Sequence, residues 1–324
     1  MTELRGAPAA ERLAEICRAD IGLLKQKGVT PRLAIIRVGA REDDLAYERG
    51  ILKRFASAGA EAEVVALPED AQQEEFEQTI LRLNGDPLVH GILLFRPLPG
   101  RLSEQRVKSL IAPTKDIDCM SHQNIAGVFE GGGACYPPCT PQAVMELLDF
   151  YGVGLAGKRV TVVGRSMVVG RPLAMLLLAK NATVTLCHTK TLDLPGECRR
   201  ADIVVACAGH AKLIGREHVR PGQIVVDVGI NVADGKLCGD VDFEAVRDTV
   251  EAITPVPGGV GGVTAAVLLR HTVAGAKENM KGQTVNTGFT IDELKQGVKN
   301  PFYDRQNKEV LLRSGKKITI YFLM

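Results

Sequence analysis

The alternation of apolar and polar positions divides the chain into helices and strands. Residues 7 to 27 place Leu13, Ile16, Cys17, Ile21 and Leu24 at helical spacing among charged positions, which predicts an amphipathic helix. Arg32 to Val38 is an apolar, β-branched run closed by Gly39, the pattern of a buried strand. A helix over roughly 43 to 58 stops at Gly59, and Glu63 to Leu67 reads as a second strand. A second helix spans 72 to 83, and His90 to Phe95 is a third strand halted by Arg96-Pro-Leu-Pro-Gly100. A further helix covers 103 to 111. Strands alternating with helices in this way predict a parallel sheet covered on both faces.

The segment 112 to 141 carries no period and is rich in Pro, Gly, Cys and Asp, the character of a functional or disordered loop. Pro137 to Pro141 reads as a passage between domains, with Thr140 capping a helix that starts at Pro141. From Lys158 the rhythm restarts, with strands near 159–163, 182–187, 202–207, 223–228 and 251–253, then a helix from Thr264 to about Asn279. The expected fold class is therefore α/β. It has two α/β domains, the second a Rossmann-like dinucleotide-binding parallel sheet, with a cleft between them. One domain takes residues 1–140 plus the helix at about 264–280, and the other takes 141–263. Residues 281–324 form an extension without a functional reading, and its apolar ending at 317–324 fits an edge strand, an oligomer contact or a tail.

The chemistry concentrates where the second sheet begins. Val160-Thr-Val-Val-Gly-Arg-Ser-Met-Val-Val-Gly-Arg-Pro172 joins a strand, a glycine turn and a helix N-terminus. Helix N-termini carry unpaired N–H groups and partial positive charge, which suits a phosphate. Gly164 and Gly170 permit close backbone approach, Ser166 is placed to cap, and Arg165 and Arg171 add charge. Taken alone, this is also what an ordinary strand-to-helix turn looks like. The second strand ends at Cys187 and runs into His188-Thr-Lys-Thr191, hydroxyls and a lysine where an NAD site would place a carboxylate. That choice favours NADP over NAD.

Composition narrows the partners. A net charge of +2 on 324 residues gives no case for nucleic acid or membrane, and no apolar run is long enough to span a bilayer. The eight cysteines form no C-x-x-C pair, so neither a disulfide scaffold nor a metal site is expected. The N-terminus lacks the apolar core of a signal peptide, and reduced thiols fit a cytoplasmic protein.

Several motifs, in order, resemble the methylenetetrahydrofolate dehydrogenase/cyclohydrolase (FolD-type bifunctional) family over residues 1 to about 280. They include Gly91-Ile-Leu-Leu with Pro97-Leu-Pro99, Lys115-Asp-Ile-Asp118, Pro138-Cys-Thr-Pro141 and Gly164-Arg-Ser-Met-Val-Val-Gly170. Ala182-Thr-Val-Thr185, Asp227-Val-Gly-Ile-Asn231, Gly239-Asp-Val241 and Thr254-Pro-Val-Pro-Gly-Gly-Val-Gly261 follow. The resemblance implies a folate-binding catalytic domain, an NADP-binding domain and a homodimer. It also implies oxidation of a methylene-tetrahydrofolate substrate to the methenyl form, followed by hydrolysis to the 10-formyl form. By the same resemblance Tyr47 lies against the folate ring and Asp118 holds the pterin amino group. Gly164, Arg165, Ser166, Thr189 and Ile230 contact the cofactor, and Pro257, Gly258 and Gly259 contact the substrate.

Two positions depart from that pattern. Ile51 stands where the family has its proton-transferring lysine, four residues after Tyr47, and Phe95 replaces the glutamine that supports it. Lys53 is turned to nearly the opposite helix face. Asp44, Cys119 and Gly262-Val263 are further departures in segments expected to line the cleft. Arg96 is the new charge there, read as a solvated strand end ahead of a partial replacement for the lysine or a carboxylate binder. Three readings stay open: a dehydrogenase with weakened hydrolysis, a divergent dehydrogenase for another pterin or a one-carbon adduct, and a catalytically silent paralogue that binds NADP or folate as a partner or regulator.

Overall fold

A computed structural model describes residues 1–131, 135–233 and 235–285, three short strands beyond them, and side chains as far as residue 280. The strand β1 (Thr2–Glu3) and helix α1 (Gly6–Gln26) open the chain. Three β-α units follow: β2 (Arg32–Val38), α2 (Glu42–Ala58), β3 (Glu61–Leu67), α3 (Gln73–Gly85), β4 (Gly91–Leu94) and α4 (Glu104–Leu110). Then come α5 (His122–Glu130) and α6 (Cys139–Phe150). The second lobe contains β5 (Arg159–Val163), α7 (Gly170–Ala179), β6 (Thr183–Cys187), α8 (Leu194–Arg200), β7 (Ile203–Ala206) and β8 (Ile224–Asp227). It continues with a hairpin of β9 (Asn231–Ala233) and β10 (Lys236–Cys238), then α9 (Phe243–Val246) and β11 (Ala252–Ile253), after which the chain enters α10 (Val260–Val285).

The first lobe is a three-stranded parallel sheet in the order β3-β2-β4. Its central strand, β2, is an almost unbroken buried run because helices cover both faces. Phe76, Ile80 and Leu83 of α3 pack with Ile36, Ile92 and Leu94 into one core. The second sheet has six parallel strands in the order β1-β11-β8-β7-β5-β6. Its strand order reverses between β5 and β7, the switch point at which α/β sheets take ligands beyond their carboxyl ends. Both sheets and α10 to Lys277 belong to a single compact unit. Within the other unit, β12 (Tyr303–Asp304), β13 (Glu309–Leu311) and β14 (Lys317–Thr319) pair into an antiparallel sheet. The edge-strand reading of the ending thus holds for 317–319, and residues 320–324 lie outside the described residues.

Three local differences from expectation have physical reasons. The loop read over 112–141 contains α5, whose start is fixed by Ser121 Oγ accepting the Asn124 N–H at 3.2 Å. Helix α6 starts at Cys139, so Thr140 sits inside its first turn and does not cap. Helix α10 starts at Val260, and Gly261 and Gly262, suggestive of a loop, lie in its first turn. Further along, a Cβ on Gly275 would stand 2.2 Å from the His90 carbonyl, so α10 runs hard against the start of β4.

Candidate active site

Tyr47 is carried by α2, which is anchored at both flanks. A largely buried pair joins Arg37 Nε at the end of β2 to Glu48 at 2.8 Å. Arg41 donates to both Asp44 oxygens at 2.9 and 2.8 Å and reaches the Arg96 carbonyl at 3.3 Å. Three acidic residues in the first turn favour that end of the helix, and Gly59 closes the other in a left-handed conformation. The Tyr47 ring meets Phe95 at 5.5 Å between centroids, tilted by 32°. Although Tyr47 is 38% exposed as a residue, burial around its hydroxyl, and then Cys139 and Asp118, raise the phenol's pKa. It is therefore a neutral donor at ordinary pH. Ile51 lies one turn along the same face, fully buried, and Lys53 is exposed elsewhere.

The Lys115-Asp-Ile-Asp118 segment divides its labour. Lys115 Nζ donates to the carbonyls of Leu83 and Asp86 at 2.9 and 2.6 Å. Asp116, fully buried, accepts the N–H groups of Met120 and Ser121 and the Asn124 amide. Both residues are consumed in holding the loop, which leaves Asp118 for the cleft. Its Oδ1 accepts the Cys139 N–H at 2.9 Å, and Arg96 Nη2 donates to its Oδ2 at 3.2 Å. Burial pushes the Asp118 carboxyl up, while Arg96 and the Cys139 N–H pull it down. Arg96 is thus a half-buried partner of Asp118, which corrects its reading as a solvated strand end. The following residue, Cys119, is buried at φ 61°, a left-handed backbone that side chains other than Asn, Asp and Gly seldom adopt.

On the second lobe, β5 delivers the chain into the glycine turn. A Cβ on Gly164, at φ 128°, would stand 2.3 Å from the Cys207 carbonyl, and one on Gly170 would stand 2.0 Å from the Gly164 carbonyl. The turn is folded so tightly on itself and on the end of β7 that only bare backbone fits. Ser166 Oγ accepts the Val169 N–H at 3.1 Å, just before α7 begins. Arg165, Ser166, Thr189 and Lys190 are exposed at the carboxyl ends of β5 and β6. His188 Nδ1 accepts the Lys190 N–H at 3.1 Å, which orders that strand end. A glycine cradle, a helix N-terminus, hydroxyls and cations are the donor set a phosphorylated dinucleotide requires, so the residues present fit the expected cofactor. Nearby, Asp227 accepts the N–H groups of Gly229, Asp240 and Val241, and Asp240 those of Ala208, Gly209 and His210. The two aspartates fix the loops after β7 and β8.

Both halves face one cleft of about 650 Å³. Tyr47, Phe95, Arg96 and Asp118 line it from the first lobe, and Val168, Val169 and Ile230 from the second, with Thr140 and Thr264 between. Pro257, Gly258 and Gly259 lead into Val260 and Gly261, which line the same wall. Gly164, Arg165, Ser166 and Thr189 lie outside this lining, around the turn that precedes Val168. The sequence reading missed Thr140 and Thr264 as lining residues, and it ranked Arg96 as a carboxylate binder behind the solvated strand end without naming Asp118 as the partner. For Arg96, a charge at the carboxyl end of a parallel strand was the available signal.

Two parallel α/β lobes with a glycine turn at a strand switch point define a nucleotide-binding enzyme of the dehydrogenase class. Residues 4–118 match the family model of the tetrahydrofolate dehydrogenase/cyclohydrolase catalytic domain, and residues 138–280 that of the tetrahydrofolate dehydrogenase/cyclohydrolase NAD(P)-binding domain. The chain is 51% identical over 275 residues to the bifunctional protein FolD of Clostridioides difficile (strain 630), a match covering 85% of this chain and 96% of that one. The FolD methylenetetrahydrofolate dehydrogenase/cyclohydrolase of Campylobacter jejuni superimposes with a TM-score of 0.84 at 40% identity, over 86% of this chain and 99% of that one. The Trypanosoma brucei FolD, solved with NADP cofactor and an inhibitor, gives 0.83 at 36% identity, over 87% and 99%. The chain belongs to the tetrahydrofolate dehydrogenase/cyclohydrolase family.

Proposed function

We propose that the protein oxidises 5,10-methylenetetrahydrofolate to 5,10-methenyltetrahydrofolate with NADP, and that its cyclohydrolase step is attenuated. The observation that carries this is the shared cleft: one wall holds Tyr47 and Asp118, the other Val168, Val169 and Ile230 beside the glycine turn. A flat ring against Tyr47 is brought edge-on to Asp118, whose carboxylate accepts ring N–H groups. Gly164, Arg165, Ser166, Thr189 and Ile230 hold the cofactor, and Pro257, Gly258 and Gly259 support the substrate from the start of α10. When bound, NADP supplies the hydride acceptor. The protein's contribution is to align the two ligands and exclude water, which needs no proton relay.

Hydrolysis is a different demand, because a group must activate water and return a proton. The position that supplies it in the family is a fully buried Ile51, and Phe95 fills the adjoining space against Tyr47. Neither side chain transfers protons. The relatives bear the name of a bifunctional enzyme, and nothing in these likenesses favours a catalytically silent paralogue.

Residues 1–140 with the helix 264–280 would form the folate-binding catalytic domain and 141–263 the cofactor domain, except that β1 (Thr2–Glu3) pairs with β11 in the second sheet. His271 of α10 supports that division, since its Nδ1 donates to the Ile117 carbonyl at 2.9 Å. A homodimer through the cofactor domain, and a cytoplasmic location, complete the reading. Among the described residues no helix is long and apolar enough to cross a membrane. The test is direct. Purified protein given methylenetetrahydrofolate and NADP should form the methenyl product, and methenyltetrahydrofolate added alone should decay little faster than without enzyme. Absence of methenyl formation with either NADP or NAD would end the proposal.

A further inference from the structure

Arg96 lies two residues past the end of β4, and among the described residues it is the one cationic side chain that lines the cleft. Three carboxylates, of Asp44, Glu104 and Asp118, line the same space. Asp44 is already engaged by Arg41. Arg96 donates through Nη2 to Asp118 Oδ2 at 3.2 Å, and both side chains are 21% exposed, so the pair is shielded without being sealed. A guanidinium has five N–H donors and an ionised carboxylate about four acceptor positions. The bonds on Asp118, from Arg96 and from the N–H and thiol of Cys139, leave both groups able to take further partners.

We propose that Arg96 and Asp118 act as a coupled reader of the substrate's 2-amino-4-oxo ring: Asp118 accepts the ring N–H groups, while Arg96 donates to the ring carbonyl and holds Asp118 in its ionised form. Arg96 is then a specificity-determining and positioning residue. The inference rests on the folate reading above.

The electrostatics give Arg96 its second role. Asp118 is faced by Tyr47 from α2, by the Cys139 N–H and thiol from α6, by Asp116 and Cys119 from its own loop, and by Arg96. His271 on α10 reaches only the Ile117 carbonyl and the Cys139 thiol, and burial lowers its pKa to about 4, so it brings no charge at neutral pH. Tyr47 and the thiols are neutral and Asp116 is a like charge. Burial raises the Asp118 carboxyl, and Arg96 is the largest influence opposing it. Without Arg96 the carboxyl takes up a proton at higher pH and presents an O–H toward ring N–H donors, which defeats recognition.

The test compares R96L, R96Q and R96K with the parent in dehydrogenase kinetics across pH. A charge-assisted hydrogen bond lost from a cleft corresponds to about a 10–100-fold rise in KM for methylenetetrahydrofolate in R96L, with kcat changed far less. The acid limb of kcat/KM should move to higher pH in R96L and R96Q. R96K should return the limb toward the parent, since it restores the charge. It should leave most of the KM loss, because an ammonium lacks the planar fork. Unchanged NADP binding and thermal midpoint certify the fold, and if R96L fails to fold, R96Q against R96K carries the comparison. A parental KM, or an acid limb that does not move, overturns the proposal, as does a loss confined to kcat. If the parent itself forms no methenyl product, the functional reading fails. Titration of parent and R96L with folic acid, which keeps the same ring, then tests the coupled pair alone by whether affinity and its pH dependence change together.

Discussion

At the scale of the residue, the site is defined as much by Ile51 and Phe95 as by Asp118. The identities of these positions were legible in the sequence, because spacing from Tyr47 and from Pro97-Leu-Pro99 locates them. Their consequence, weakened hydrolysis, was read from them as well, but its physical basis is burial: Ile51 has no exposed surface and Phe95 packs on Tyr47 at 5.5 Å. A lysine introduced at 51 alone would be an unpaired buried cation, costing about 3 kcal/mol or more and favouring its neutral form. Opening the adjoining space while supplying a polar partner changes that balance. The double variant Ile51→Lys with Phe95→Gln should therefore accelerate methenyltetrahydrofolate hydrolysis by a factor on the order of 10–100, toward the lower range of general acid–base catalysis. Following methenyl absorbance decay checks it. A folded double variant with no gain, or a parent that already hydrolyses rapidly, would show that the lysine is not what limits the step. Asp116 gives the opposite lesson. By residue type it is as good a binding group as Asp118, but its oxygens are spent on Met120, Ser121 and Asn124. The resemblance singles out Asp118, and the fold gives the physical reason.

At the scale of the element, the parallel strands were readable because they are buried on both faces, so that β2, β4, β7 and β8 appear as continuous apolar runs. Helix α5 escaped because it buries only Asn124 and Val128, too few apolar positions to make a period. Strand β11 was read near 251–253 despite its two residues, whereas β1, equally short, depends on its pairing partner rather than on any pattern of its own. The glycine turn was legible as a motif, but its reason is tertiary. Gly170 lacks a side chain because the Gly164 carbonyl occupies the place of its Cβ, 2.0 Å away. Its substitution therefore probes the turn without touching charge. Gly170→Ala should force β5 and α7 apart, destabilise the fold by about 1–3 kcal/mol, and weaken NADP binding more than folic acid binding. Thermal midpoint and the two titrations measure this. Equal weakening of both ligands would mean that the turn serves the fold alone.

At the scale of the whole molecule, two buried groups, His271 and Asp227, tie stability to pH in opposite directions, and the burial of neither was legible in the sequence. His271 is 5% exposed in α10, and its Nδ1 donates to the Ile117 carbonyl. Burial lowers its pKa to about 4 from an ordinary 6.5. The unfolded chain thus binds this proton more readily than the folded one. Its contribution is complete above pH 6.5 and is lost as pH falls through 4, a change of about 3 kcal/mol. Asp227 runs the other way. Burial raises it from 3.8 to about 6 despite the N–H groups of Val241, Asp240 and Gly229 that it accepts. Its contribution is complete below its unfolded value and is lost as pH rises through 6. Between pH 4 and 6 the two slopes oppose each other, so the parent's own stability profile is flattened and hides both. A difference measurement separates them. Urea unfolding of the parent and His271→Gln from pH 7.5 to 4 should show the parent losing stability relative to the variant as pH falls, by about 3 kcal/mol in all. The Asp227 influence is common to both proteins and cancels. A difference that stays constant across that range would mean that His271 keeps its ordinary proton affinity in the folded protein, and that the packing of α10 against the Ile117 carbonyl does not depend on its neutral form.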